Sequence, residues 1–348
     1  MASTFPHPRP SLSPAEKAPA WRRAGLRYYS YGYFLRSRYG RRVWRISLDG
    51  GFTCPNIDGT VAYGGCTFCD NRSFSPSRRV RRREIALQIE RGIAALRRRY
   101  GDRCEAFIAY FQPGTNTHAP VDRLRPLFEE AASDPRIVGL AIGTRPDAVD
   151  EPVLDLLTEL AGRLPVSVEY GMQTMHDASL EAMNRGHDHA TLVRAVERTR
   201  GRGIQIGLHL LIGWPTESRA QVMASADEVA RLQVDSVKLH SLYAVHGTPL
   251  GDQVLRGDVT LLDQATYVDW AVEILERLPP DTVIERLVAH APPEYLIGPA
   301  WCLQSAVVRA EIERELARRD TFQGARCIHR RSCGPPSVVR RSIQSPRV

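Results

Sequence analysis

The sequence has no run of about eighteen apolar residues, so no membrane-crossing helix is expected. Its opening stretch, MASTFPHPRPSLSPAEKAPAWRRAG, lacks the apolar centre of a signal peptide, and the expected location is cytoplasmic. Cysteine is sparse, seven residues in 348, and in a reducing compartment those thiols are expected to stay free. Only one C-x2-C pair occurs, Cys66 and Cys69. Acidic residues are missing from residues 322–348, which carry six arginines. Residues 1–26 hold Arg9, Lys17, Arg22 and Arg23 against Glu16 alone. The net charge is +8, and removing these two basic ends leaves the remainder at −1.

Three segments follow from this distribution. Residues 1–26 and 322–348 are expected to be disordered basic arms, and residues 27–321 one core. A further basic run, RSFSPSRRVRRRE from Arg72 to Glu84, lies inside the core. Such runs either attract polyanions such as RNA or serve as solvated surface, and both readings stand. Hydrophobic residues at 43% and charged residues at 25% fit a soluble globular chain.

From about residue 43, short apolar runs alternate with amphipathic stretches. VWRISLDGGFTC, CEAFIAYFQ, IVGLAIGTRPD, VSVEYGMQT, IQIGLHLLIGWP and DSVKLHSLYAV read as strands. Helical spacing separates them, as in EIALQIERGIAALRRRY, where Ile85, Ile89, Ile93 and Leu96 share a face. Six such units predict a parallel α/β sheet curved into an open or closed barrel. Barrels carry chemistry at the C-terminal ends of their strands. Polar residues gather at those ends: Cys54; Gln112, Thr115 and Asn116; Thr144, Arg145 and Asp147; Glu169 and Gln173; His209; Lys238, His240 and Tyr243.

The stretch CPNIDGTVAYGGCTFC carries Cys54, Cys66 and Cys69. A structural zinc site wants a fourth ligand, and no histidine follows Gly51 until His118. Disulfides are disfavoured in the expected compartment. Three inert core cysteines would not need Gly64 and Gly65 beside them. An iron–sulfur cluster usually takes four thiolates, and with three it keeps one iron open to a further ligand.

These stretches, with YFQPGTNTHAPVDRLRPLFEEA, IGTRPDAV, VEYGMQT, NRGHDHATLVRAVERTRGRGI, HLLIGWP and VKLHSLYAVHGTPL, resemble the radical S-adenosylmethionine (SAM) enzymes. Within them the chain is most similar to relatives of the Elongator catalytic subunit, above all the small YhcC/YtqA-type family, over roughly residues 28–305. The resemblance implies an incomplete (β/α)6 TIM-type barrel with a 4Fe–4S cluster on Cys54, Cys66 and Cys69. SAM would complete the open iron and be cleaved reductively to a 5′-deoxyadenosyl radical. It further implies Phe68 near adenine, Gln112 and Thr115 at the methionine amino group, Glu169 and Gln173 along the cleft, and Arg185 at the carboxylate. Lys238, His240 and Tyr243 are rim candidates for chemistry.

Each has a structural alternative. Glu169 would be an ordinary strand-end carboxylate, Arg185 and His187 braces of the next helix, and Gln112 a partner of barrel backbone. GWPTE, Gly213 to Glu217, stands where relatives usually carry a Gly-rich turn, and the acetyltransferase domain of the Elongator subunit is not expected within these residues. The single C-x2-C pair argues against a two-cluster methylthiotransferase. Cys104 is expected in the core, and Cys327, His329 and Cys333 leave a tail metal site open.

By resemblance the function is tRNA wobble-uridine side-chain modification, with tRNA and a one-electron donor such as flavodoxin or ferredoxin as partners. Two other readings remain: radical chemistry on a small metabolite or peptide, and a non-catalytic iron–sulfur RNA-binding protein.

Overall fold

The computed structural model describes residues 18–75, 84–101 and 103–329. Two short helices, α1 (Ala20–Arg23) and α2 (Tyr31–Tyr39), precede the first strand, β1 (Val43–Leu48). Then come α3 (Asn71–Phe74), α4 (Ile85–Tyr100), β2 (Ala106–Phe111), α5 (Val121–Ser133), β3 (Ile137–Thr144), α6 (Glu151–Ala161) and β4 (Val166–Gln173). The second half comprises α7 (Asp177–Ala182), α8 (His189–Thr199), β5 (Gln205–Ile212), α9 (Arg219–Leu232), β6 (Ser236–Ser241), β7 (Ala244–Val245), α10 (Pro249–Arg256) and α11 (Gln264–Arg277). β8 (Val283–Arg286), β9 (Leu296–Gly298) and α12 (Ser305–Arg318) complete it.

The periodicity explains the local structure. Ile85, Ile89 and Ile93 of α4 are buried along one helix face. At α6 the Asp150 side chain accepts from the Val153 N–H at 3.0 Å, and Pro152 fits the first turn, where no N–H is needed. All six residues of β2 are buried, as befits a strand covered on both faces.

Seven strands form one parallel sheet in the order β1-β2-β3-β4-β5-β6-β8. The seventh, β8, was not read from the sequence: four residues ending in Glu285 and Arg286 carry no alternating apolar signal. Side chains crossing the interior show that the sheet curls into an incomplete TIM-type barrel. Lys238 of β6 donates to the Tyr110 hydroxyl of β2 at 2.8 Å. Arg45 and Glu285, from the two edge strands, form an ion pair. That pair joins edges that no backbone ladder joins.

The N-terminal end of the barrel is closed by α2. Its Leu35 packs with Val43, Ala106, Ile108, Tyr110 and Ala141, and Tyr31, Phe34 and Tyr39 lie against the same cluster. The opposite end is therefore the open mouth.

The structured core extends past both expected boundaries. Trp21, assigned to the basic arm, is buried and donates its indole N–H to Pro280 O at 2.8 Å. Gln323, assigned to the tail, is fully buried and donates to Pro279 O and Thr282 O. Both side chains tie the chain ends to backbone carbonyls of the turn between α11 and β8. Most of the Arg72–Glu84 run, Cys333 and most of the arms fall outside the described residues. No helix among the described residues is long and apolar enough to cross a membrane.

Candidate active site

The segment from Cys54 to Cys69 folds on itself just beyond β1. Ile57 and Asp58 donate their N–H groups to Cys54 O, Val61 donates to Pro55 O, and Cys69 donates to Cys66 O at 3.0 Å. Gly64 and Gly65 sit at φ of 81° and 79°, a region that a side chain would strain.

Two other elements clamp this loop. The turn after β2 grips both ends: Thr115 N donates to Thr53 O at 2.9 Å, and Gly114 N to Asn71 Oδ1 at 3.2 Å. From the side, the NRGH stretch after α7 docks against it. Asn184 donates to Gly65 O at 2.8 Å, Thr67 N donates to Met183 O at 3.0 Å, and Asn56 donates to Asn184 O. His118 on the β2 turn contacts Asp58 at 2.9 Å. Motifs far apart in sequence thus converge on the cysteines.

Arg185 crosses the end of β4. Its Nη1 lies 3.3 Å from Cys66 Sγ, and its Nη2 donates to Gly171 O at 2.9 Å. A Cβ on Gly171 would meet that Nη2 at 2.8 Å, so this glycine clears the path. Gln173 ends β4 in the left-handed region, and its amide lies beside the same glycine. Arg145, paired with Asp147 at 2.7 and 2.9 Å, contributes a second buried cation near Cys54 and Cys66. Neither Arg185 nor His187 caps the next helix; Asp188 does, accepting from Thr191 N at 2.8 Å.

Among the described residues, no three His, Cys, Asp or Glu side chains converge closely enough to hold one metal ion. Burial, with Cys66 and Cys54 nearby, pushes the Cys69 thiol up. Bound iron would relieve that crowding, since ligation requires thiolates. Asn56 Oδ1, Arg145 Nη1, Arg185 Nε and His187 Nε2 are buried without hydrogen-bond partners around the loop. Unpaired polar atoms at this density mark a place built for a polar or charged group. The residues therefore fit a cluster with a polar ligand beside it.

The sequence candidates divide into two layers. Near the cysteines lie Arg185, Gln173, Gln112, Thr115 and Phe68. Gln112 N donates to Leu48 O at 3.4 Å, and Thr115 is buried. Phe68 packs edge-on against Trp214, ring centroids 6.3 Å apart, so the unusual GWPTE turn forms part of the wall. Burial raises the Tyr243 hydroxyl against a hydrogen bond to Ser73 and the charge of Arg286, with nearby Cys69 adding to the rise, and the Tyr243 ring lies 5.5 Å from His240.

Glu169 belongs to the deeper layer, inside the barrel. It is 1% exposed, forms an ion pair with Lys238, and accepts from the Tyr110 hydroxyl at 2.7 Å. His209 Nε2 lies 3.0 Å from it and Arg45 3.2 Å. Burial alone would raise Glu169, but Lys238 and Arg45 hold it well below the ordinary carboxylate range. Lys238 is pulled down to about 8 by burial, against the upward pull of Glu169. Both members are charged at neutral pH.

Sequence reasoning placed Lys238, His240 and Tyr243 at the rim but missed Arg45, Tyr110, Glu285 and Arg286. One signal was available: Lys238 is one of two lysines among 47 basic side chains. In a chain that uses arginine almost everywhere, a lysine within an apolar strand marks a place where the compact ammonium matters. At the other end of the chain Cys327 is buried, with no metal group around it among the described residues.

Residues 61–229 match the Radical SAM superfamily and residues 234–318 the Radical_SAM C-terminal domain. YtqA of Bacillus subtilis is 38% identical over 298 residues, covering 86% of this chain and 92% of that protein. The tRNA uridine(34) acetyltransferase of Methanocaldococcus jannaschii is 29% identical over 126 residues, 35% of this chain and 23% of that protein. Among solved structures, the Elp3 of Methanocaldococcus infernus superposes with a TM-score of 0.61 at 18% identity, over 82% of this chain and 65% of that longer one. Members of the radical SAM superfamily bind a 4Fe–4S cluster and SAM. The chain belongs to the radical SAM superfamily and, within it, to the YhcC/YtqA-type family.

Proposed function

We propose that this radical SAM enzyme modifies the side chain of a wobble uridine in tRNA. The observation that carries the tRNA reading is the 126-residue match to an enzyme named for uridine 34 of tRNA. The basic composition of both chain ends supports it, since arginine-rich segments neutralise phosphates.

Cys54, Cys66 and Cys69 would hold the cluster. When bound, the cluster and SAM supply the electron and the hydrogen-abstracting fragment for attack on an unactivated carbon. Arg185 holds a cation against Cys66, and its unpaired Nε points to a role toward an anionic group of the cofactor. Gln112, Thr115 and Gln173 offer polar groups at the strand ends, and Phe68 with Trp214 offers an apolar wall suited to an adenine face. Flavodoxin or ferredoxin would deliver the electron.

The test is anaerobic reconstitution with iron and sulfide, then dithionite and SAM, with 5′-deoxyadenosine quantified. The triple variant Cys54→Ala, Cys66→Ala, Cys69→Ala should bind no cluster and form no product. Bulk tRNA should raise turnover in the wild type. A deletion strain whose tRNA carries a complete set of wobble nucleosides would remove the RNA assignment and leave the radical chemistry standing. A fully loaded protein that never cleaves SAM, with or without tRNA, would reduce it to a binding protein.

A further inference from the structure

The barrel interior holds one cation more than its carboxylates can pair. Glu169 is taken by Lys238 and Arg45, and Glu285 by Arg45, with Lys238 3.6 Å away. Arg286 stands outside these pairs. Its Nη2 lies 2.9 Å from His240 Nδ1, and its Nε donates to Leu239 O at 3.4 Å. No carboxylate among the described residues forms an ion pair with it. Both of its partners are neutral: burial, then Arg286 itself, holds His240 well below the ordinary histidine range.

The backbone places this cation deliberately. The β6–β8 ladder pairs Val237 with Ile284 and then Lys238 with Arg286, so Glu285 is an extra residue on β8. Such a bulge re-aims side chains and lets the consecutive Glu285 and Arg286 both reach inward. Arg286 sits on the side of His240, which in turn stacks towards Tyr243 and so towards Cys69. His209 retains 22% side-chain exposure although it points into the barrel, so the charged layer is not sealed from solvent.

An unpaired cation in a partly desolvated interior is costly unless an anion visits it. We propose that Arg286, backed by His240 and flanked by Tyr243, anchors an anionic group of the substrate, a carboxylate or a phosphate, inside the barrel. A planar guanidinium with one edge fixed by His240 and Leu239 O presents its remaining N–H groups in a fork suited to two oxygens. Calling the anion a substrate's rests on the radical SAM reading of the site; the binding itself does not.

The test uses the full-length chain and two probes, inorganic phosphate and acetate, each at constant ionic strength, with thermal unfolding followed anaerobically. At least one probe should raise the wild-type midpoint saturably, because a ligand that binds only the folded state stabilises it. Arg286→Gln should weaken that response about tenfold or more, the worth of a charge-assisted pair. A response to phosphate assigns a phosphate-bearing substrate, and one to acetate a carboxylate. His240→Glu supplies an internal carboxylate to Arg286; it should raise the anion-free midpoint and abolish the response, and it reports on the site even where Arg286→Gln does not fold. A wild type indifferent to both anions, or an Arg286→Gln variant that responds as the wild type does, overturns the proposal. Neither cluster nor RNA enters these measurements, so loss of the tRNA assignment leaves them untouched.

Discussion

Arg185 Nη1 lies 3.3 Å from Cys66 Sγ, a guanidinium held against a thiol by a motif that starts more than a hundred residues later in the chain. Hydrogen bonds and positive charge at a cluster sulfur favour the reduced, more negative state and raise the reduction potential. Arg185→Gln keeps much of the volume and removes the charge. A contact to a charged group is worth about 1.5 kcal/mol, which corresponds to roughly 60 mV for a one-electron couple. The reconstituted variant should retain iron and titrate at a potential lower by that order. An unchanged midpoint with full iron occupancy would show that Arg185 serves the backbone at Gly171 and not the cluster.

Much of this arrangement was readable from the chain alone. The first six barrel strands announce themselves because each is a short apolar run between helical periods. The cysteine loop, GTRPD and NRGH stand at strand ends, where barrels carry chemistry. What stayed hidden had physical reasons. β8 ends in Glu285 and Arg286, whose charge is compensated only across the barrel by Arg45 and Lys238 or left unpaired, and such pairing has no local signature. Periodicity gave Glu169 its inward facing but not its depth; strand register places it below Gly171 and Gln173. Trp21 and Gln323 lay within basic stretches, and composition there outweighed two residues that seal the core.

The Glu169–Lys238 pair should be expensive to break from one side. Lys238→Met leaves a 1%-exposed carboxylate with only Arg45, His209 and Tyr110. Removal of one partner from a buried pair typically costs about 3–5 kcal/mol. Glu169→Gln alone should lie near the lower end of that range, because it strands Lys238 beside Glu285 at 3.6 Å, which still compensates it. The double variant should lose less than the sum of the two. Denaturant unfolding of the four proteins gives the cycle, and additive losses would show that the two groups are not coupled.

Acid should weaken the fold in a window set by the interior histidines. Burial, then Lys238, lowers His209 to about 4 from the ordinary 6.5. The unfolded chain therefore binds a proton on this residue below pH 6.5, and the folded chain only below about 4. Between those values the unfolded state holds more protons, so stability falls as pH drops and is regained as it rises. A tenfold change in proton affinity corresponds to about 1.4 kcal/mol, so His209 contributes at most about 3 kcal/mol across the window. His240 is lowered for the same first reason and acts in the same direction. Denaturant midpoints measured between about pH 7 and 4.5 should fall, and His209→Asn should flatten the slope. An equal slope in the variant would place the acid sensitivity elsewhere.

Gly186 tests whether the clamp on the cysteine loop is what keeps iron in place. It has φ of +68°, and a Cβ there would meet Val61 Cγ1 at 2.6 Å and Asn56 Oδ1 at 2.7 Å, both on the loop. Gly186→Ala therefore combines left-handed strain, about 1–2 kcal/mol, with a push against the loop at two points. Gly64 supplies the comparison: its φ is +81°, but nothing lies within 4 Å of the added carbon. Gly64→Ala carries the strain without the collision. The barrel core is remote from both, so global unfolding midpoints should move little in either variant. Iron retained after desalting should fall markedly in Gly186→Ala and only slightly in Gly64→Ala. Equal retention would mean that the three cysteines hold their geometry from the local turns between Cys54 and Cys69 alone, and that docking of the NRGH stretch serves only to bring Arg185 to Cys66.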